Sequence, residues 1–134
     1  MIFSWGHLWI GQAYVQKGMY TEAIDEMKEA VRLSNSDVRM LATLGHAYAV
    51  SDNRAEALKI LNDLQKTPQQ RYVSPYFIAV IYVGLGEDDR ALEWLEKAYN
   101  ERHPYLILLK VEPVFDRLRK NSRFIDLQRR VGIE

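Results

Sequence analysis

Residues 41–61 read LATLGHAYAVSDNRAEALKIL. The same chemistry returns 34 positions earlier in residues 7–27, HLWIGQAYVQKGMYTEAIDEM, and 34 positions later in residues 75–95, PYFIAVIYVGLGEDDRALEWL. Tyr14, Tyr48 and Tyr82 fall in one column, and Ala23, Ala57 and Ala91 in another. Met27, Leu61 and Leu95 make a third, Gly11, Gly45 and Ala79 a fourth, and Gly18, Asp52 and Gly86 a fifth. A period of this length marks a structural unit that cannot bury its apolar face alone and stacks on its neighbours instead.

Within each unit the spacing predicts two helices. His7, Ile10, Gly11 and Tyr14 recur as Leu41, Leu44, Gly45 and Tyr48, then as Pro75, Ile78, Ala79 and Tyr82. Steps of three and four place these residues on one face of a helix. A small residue in that stripe lets a neighbouring helix approach, and the tyrosine fills the space one turn on. The Gly18, Asp52 and Gly86 column stands where the chain must reverse and suits a left-handed backbone. Second helices are expected over about Tyr20–Leu33, Asn53–Lys66 and Asp88–Glu101, with Ala23, Ile24 and Met27 and their counterparts facing inward.

This pattern resembles the tetratricopeptide repeat (TPR), whose signature runs W-x₂-L-G-x₂-Y…A-x₃-F…P over 34 residues. The resemblance covers about residues 4–104. It departs at the first signature position, where His7, Leu41 and Pro75 replace tryptophan, and at the proline column, where Asn35, Gln69 and His103 stand beside Pro68 and Pro104. The resemblance implies an all-α fold: an α-solenoid of three helical hairpins with short C-terminal capping helices. A single domain over 1–134 is expected, with repeats at about 4–37, 38–71 and 72–105 and a capping tail at 106–134.

In the tail the periodicity lapses. Pro113 suits the first turn of a short helix, Asn121 or Ser122 can cap another, and Gly132 can end it. Phe115 and Leu118, then Phe124, Leu127 and Val131, form apolar faces backed by Arg117, Lys120, Arg129 and Arg130. These faces predict a lid on the third hairpin. The segment is similar to tails that close TPR arrays in bacterial multidomain proteins such as winged-helix regulators, nucleotide cyclases and Ser/Thr kinases. That likeness implies a bacterial origin and a regulatory or self-association role in a larger signalling or transcription-regulating protein, as the alternative reading.

Composition excludes several functions. The chain has 134 residues and no cysteine, so disulfides, thiolate metal sites and cysteine nucleophiles are ruled out. Eighteen basic and eighteen acidic side chains cancel, so no global field favours nucleic acid or anionic lipid. Residues 1–100 hold 10 basic and 13 acidic groups and residues 101–134 hold 8 and 5; the difference is read as solvated helix faces. The apolar start has no basic n-region and no cleavage motif, and polar residues interrupt it before it could span a membrane. A cytoplasmic setting is expected, with neither membrane nor nucleic-acid partners.

No catalytic, metal-ligating or cofactor-binding pattern is present; the glycines of Gly84-Leu85-Gly86 belong to a turn, and the only candidates for base chemistry are His7, His46 and His103. The expected function is that of a non-enzymatic scaffold binding a peptide or helix of another protein in its concave groove. Projected from the first helices, that groove comprises Trp5, Leu8, Gln12, Arg39, His46, Val73, Tyr76 and Val80. The Lys, Asn and Arg clamp by which some TPR domains hold chaperone tails is missing, since Leu8, Gln12, Thr43, Val73 and Phe77 take the matching places. At the N-terminal end Phe3, Trp5 and Trp9 predict docking onto further repeats or, for this chain, a homodimer through the first hairpin.

Overall fold

Three antiparallel helical hairpins stack side by side, each made of two helices joined by a tight reversal. The structure, a computed structural model, describes residues 2–66 and 72–132. Helices α1 (Ile2–Gln16) and α2 (Tyr20–Leu33) form the first hairpin, α3 (Val38–Val50) and α4 (Arg54–Lys66) the second, and α5 (Pro75–Gly84) and α6 (Asp88–Asn100) the third. Two 3₁₀ segments, Pro104–Lys110 and Pro113–Leu118, then lead to α7 (Ser122–Val131). No strand occurs among the described residues. The connector with Pro68 and Gln69, where the repeat's second proline column falls, lies outside them.

The reversals explain the glycine and aspartate column. Gly18, Asp52 and Gly86 have φ of 73°, 68° and 78°. At each one the amide of the following residue donates to the carbonyl of the tyrosine column: Met19 to Tyr14 at 2.9 Å, Asn53 to Tyr48 at 2.8 Å and Glu87 to Tyr82 at 3.1 Å. Together with the i to i−3 bonds from Gly18, Asp52 and Gly86, this is the two-bond helix ending that needs a left-handed residue. The tyrosine column therefore marks the backbone that closes each first helix as well as a side chain that packs. The second and third hairpins open on side-chain caps: Asp37 Oδ1 accepts from the amides of Arg39 and Met40, and Ser74 Oγ accepts from that of Tyr76.

Close approach explains the other glycines of the stripe. A Cβ on Gly11 would stand 2.8 Å from Met27 Cγ, and one on Gly45 would stand 2.9 Å from Ile81 Cδ1. Gly11 thus lets α1 lie on α2, and Gly45 lets α5 lie on α3. Tyr82 is buried, whereas Tyr48 is half-buried at the edge of the cluster of Met27, Leu44 and Ala47.

Burial grows toward the C-terminal end. Every residue from Pro75 to Val83 is buried, because α5 has a hairpin on one side and the tail on the other. The tail packs through Phe115, Leu118, Phe124 and Leu127, all fully buried in the main core. Its basic side chains meet acidic ones of the third hairpin: Arg117 Nε lies 3.0 Å from Asp88 Oδ1, Arg123 Nη1 lies 3.8 Å from Asp89, and Arg130 donates to Glu96 at 2.9 Å. Such pairs add roughly 0–1 kcal/mol each when exposed, so they orient the tail while its phenylalanines and leucines hold it. The uneven charge between body and tail, expected to reflect solvated faces, is thus partly a complementary contact.

Candidate interaction site

The face lined by α1, α3 and α5 is where a groove was expected, and much of it is occupied by the chain itself. The reason lies at Glu112–Pro113. Proline holds the preceding residue extended, and Glu112 has φ −71° and ψ 121°. The first 3₁₀ segment therefore ends and the chain turns back across the first-helix face. Arg119 fixes the turn by donating to the backbone carbonyls of Leu109 and Glu112, the latter at 2.9 Å.

Aromatic stacking fills the end of the face nearest the tail. The Tyr76 ring lies 5.9 Å from Tyr105, 5.7 Å from Phe115 and 6.1 Å from His103, centroid to centroid. Burial raises the pKa of the Tyr76 hydroxyl, so it stays protonated. His103 Nδ1 accepts the Tyr105 amide at 3.4 Å, a role open to neutral imidazole, and partial burial lowers its pKa. Arg39 bridges the two ends: its guanidinium sits 4.9 Å from the Trp5 ring centroid and 5.2 Å from that of Tyr105.

The eight expected groove residues consequently divide. Leu8, Tyr76 and Val80 are buried within the chain, Val73 packs half-buried against the core, and Trp5 and Arg39 stack on each other. Leu8, Tyr76 and Val80 are covered by neighbouring hairpins and the returning tail, while Trp5, Arg39 and Val73 keep part of their surface exposed. Only Gln12 and His46 open onto a remaining hollow of about 360 Å³. Around them stand Trp9 and Gln16 from α1, Thr43 from α3, and the corner Glu112, Pro113 and Val114. Of these, sequence reasoning assigns Trp9 to self-association and does not place the others in the groove. Thr43 and Gln16 share the 34-residue register of the first helices and were within reach of it; the corner falls where the repeat has lapsed and has no register to place it.

The hollow is apolar at its sides and carries one carboxylate, Glu112, at its rim. His46 is nearly buried beneath it, and that burial pushes its imidazole down to about 4. It is neutral at pH 7 and faces the hollow as a hydrogen-bonding group without charge. His7, by contrast, lies on the first hairpin, with Nδ1 2.5 Å from Glu26 Oε2 of α2. Among the described residues no group of three or more His, Asp or Glu side chains converges as a metal site, and no helix is long and apolar enough to cross a membrane.

Comparison with known proteins fits this architecture. The family model for the tetratricopeptide repeat matches residues 4–111, which takes in all three hairpins and the first 3₁₀ segment. Superkiller protein 3 of Schizosaccharomyces pombe (strain 972 / ATCC 24843) is 30% identical over 95 residues, covering 71% of this chain. The chain spans 7% of the length of that relative. No solved structure matches the chain significantly.

Proposed function

Because the chain belongs to the tetratricopeptide-repeat family, whose repeats mediate protein–protein interaction, we propose that it is an interaction module that receives a peptide or helix of a partner in the hollow between α1, α3 and the Glu112–Val114 corner. The observation that carries this reading is the hollow itself. At about 360 Å³ it stands toward the lower end of the roughly 300–1,000 Å³ usual for ligand sites. That is room for an anchoring side chain and not for a whole helix. Trp9, Ala13, Val15, Pro113 and Val114 offer apolar contact, while Gln12, Gln16 and Thr43 offer polar groups that would fix its orientation.

A protein partner is favoured over a nucleic acid by the disposition of the tail's cations. Arg117, Arg123 and Arg130 face Asp88, Asp89 and Glu96 of α6, and the charges that line the hollow come from Glu112 alone. A phosphate backbone would find no basic track there.

Site-specific photo-cross-linking tests the reading. A photoreactive side chain at Gln12 or Gln16 is expected to capture a discrete protein from an extract of the source organism, and the added change Val114→Glu is expected to abolish that capture. The same probe at Lys59, exposed on α4, is expected to give none. Equal capture from Lys59, or capture indifferent to Val114→Glu, would contradict the proposal.

A further inference from the structure

Two polar side chains of the hollow have no partner within the chain. His46 is 8% exposed, yet among the described residues neither of its ring nitrogens hydrogen-bonds to another residue. Its surroundings explain why. The Cδ2 edge lies against Gly84, where a Cβ would come within 3.0 Å. Thr43, one turn away on α3, spends its hydroxyl on the Arg39 carbonyl at 2.9 Å. Nor are the imidazole nitrogens sealed in: among the described residues, the fully buried side-chain N or O atom left without a hydrogen bond belongs to Asp88. The imidazole therefore opens onto the hollow it lines. Buried polar groups in folded proteins are paired in the great majority, so an imidazole in this state is half of a contact.

Glu112 is the second. Its backbone carbonyl accepts from Arg119, but its half-buried carboxylate enters no ion pair or hydrogen bond among the described residues. The arginines nearest the hollow are engaged elsewhere: Arg39 with the Trp5 and Tyr105 rings, Arg117 with Asp88, and Arg119 with Asp116 and two backbone carbonyls. A carboxylate drawn partly out of water without a cation is costly, and an incoming donor of positive charge offsets that cost. The space around these two groups is also longer than one hollow. A second hollow of about 190 Å³ shares Val15, Gln16, His46, Pro113 and Val114 with the first, so the site is a trough with apolar walls.

We infer that the partner's anchor is a basic side chain, arginine before lysine, whose methylene stem lies along Val15, Pro113 and Val114 and whose cationic head donates to the Glu112 carboxylate and to a ring nitrogen of His46. The inference rests on the hollow being the partner site and names what enters it. Each part of the occupant answers a part of the trough. Long basic side chains bury their methylenes on apolar walls while the head seeks charge. A guanidinium carries five N–H donors in a flat fork, enough for two separate acceptors, and its face can lie on the exposed Trp9 ring at the side of the hollow. His46, neutral at pH 7, accepts without repelling the cation. An acidic anchor would instead set two carboxylates in one hollow, and an uncharged apolar anchor would cover Glu112 and His46 while bonding to neither.

Nuclear magnetic resonance titration of the full chain with short blocked peptides decides the matter. The peptides are alanine throughout except at the centre, which is arginine, citrulline (the same shape without the charge), norleucine or glutamate. The arginine peptide is expected to shift the resonances of His46, Glu112 and Val114 and to bind about tenfold more tightly than the citrulline peptide. Glu112→Gln is expected to erase that preference, and Glu112→Lys to turn it toward the glutamate peptide. Equal binding of arginine and citrulline would overturn the inference. So would tighter binding of norleucine, a preference that survives Glu112→Gln, or an arginine peptide that leaves His46 unshifted at millimolar concentration. Photo-cross-linking from Gln12 is read separately. A captured partner lost with Val114→Glu but indifferent to Glu112→Gln would overturn the basic anchor and keep the hollow as the partner site. Capture from Gln12 no better than from Lys59 would remove the hollow itself.

Discussion

His46 shows how a residue's position decides its chemistry. It follows Gly45 in the repeat, and Gly84 of α5 packs so near that a Cβ there would stand 3.0 Å from His46 Cδ2. The imidazole takes a proton near pH 6.5 in the unfolded chain and near pH 4 in the folded one, because burial disfavours the cation. A depressed histidine costs nothing above pH 6.5; as pH falls from there toward 4 the unfolded chain binds a proton that the folded chain refuses, and stability is lost. Over that window the loss reaches roughly 3 kcal/mol; the charged side chains that line hollows with His46 are Glu112 and Arg117. Thermal melts from pH 7 to pH 4.5 should show wild type losing several degrees more than His46→Gln; parallel curves would mean that His46 is solvated. At Gly11 the expected sign is equally definite. Gly11→Ala gains about 1 kcal/mol of helix preference but drives a methyl group against Met27 Cγ and, at 3.2 Å, the backbone carbonyl of Ala23. Overpacking of this kind costs about 1–3 kcal/mol, so the melting temperature should fall, and a rise would show that α2 yields easily. Both glycines of the stripe were legible from the period alone.

Among the elements the tail departs most from what the sequence disclosed. Its helical pieces were readable from local signals: Pro113 opens the second 3₁₀ segment, Asn121 Oδ1 caps α7 by accepting from the amides of Arg123 and Phe124, and Gly132 ends it at φ 88°. Its path was not readable, because the return across the first-helix face depends on contacts distant in sequence, such as Arg39 on Tyr105 and Tyr76 on Phe115. The same contacts engage Tyr76 and Arg39 of the expected groove, whereas Leu8 is buried instead against Ala30 and Met40. Phe115 joins the two halves of this arrangement, with its ring 5.7 Å from Tyr76 and 5.9 Å from Phe124. Phe115→Ala should therefore cost about 3–5 kcal/mol, as for other buried aromatic truncations, and should increase binding of a hydrophobic dye as α5 loses its cover. A variant within 1 °C of wild type in melting temperature would show that the tail contributes no cooperative packing.

The whole molecule is an array whose two ends are unlike. At the C-terminal end the tail completes the core around α5; at the other, α1 offers the same apolar register to solvent. In between, the tail's turn at Pro113 stands opposite α1 over α3 and leaves the hollow into which a partner is proposed to reach. The array itself could be read from residues 7–95 because each unit repeats the same local solution. The hollow could not, since it arises where a segment without the repeat folds back on segments that have it. Its existence depends on the tail being part of the folded array, and hydrogen exchange resolved along the chain tests that most directly. Amides of Leu106, Leu109, Phe115 and Leu118 are expected to exchange in the same slow, cooperative class as those of α5 and α6. Exchange of these tail amides at unfolded-chain rates, while α1 to α6 stay protected, would leave the first-helix face an open groove and contradict the account.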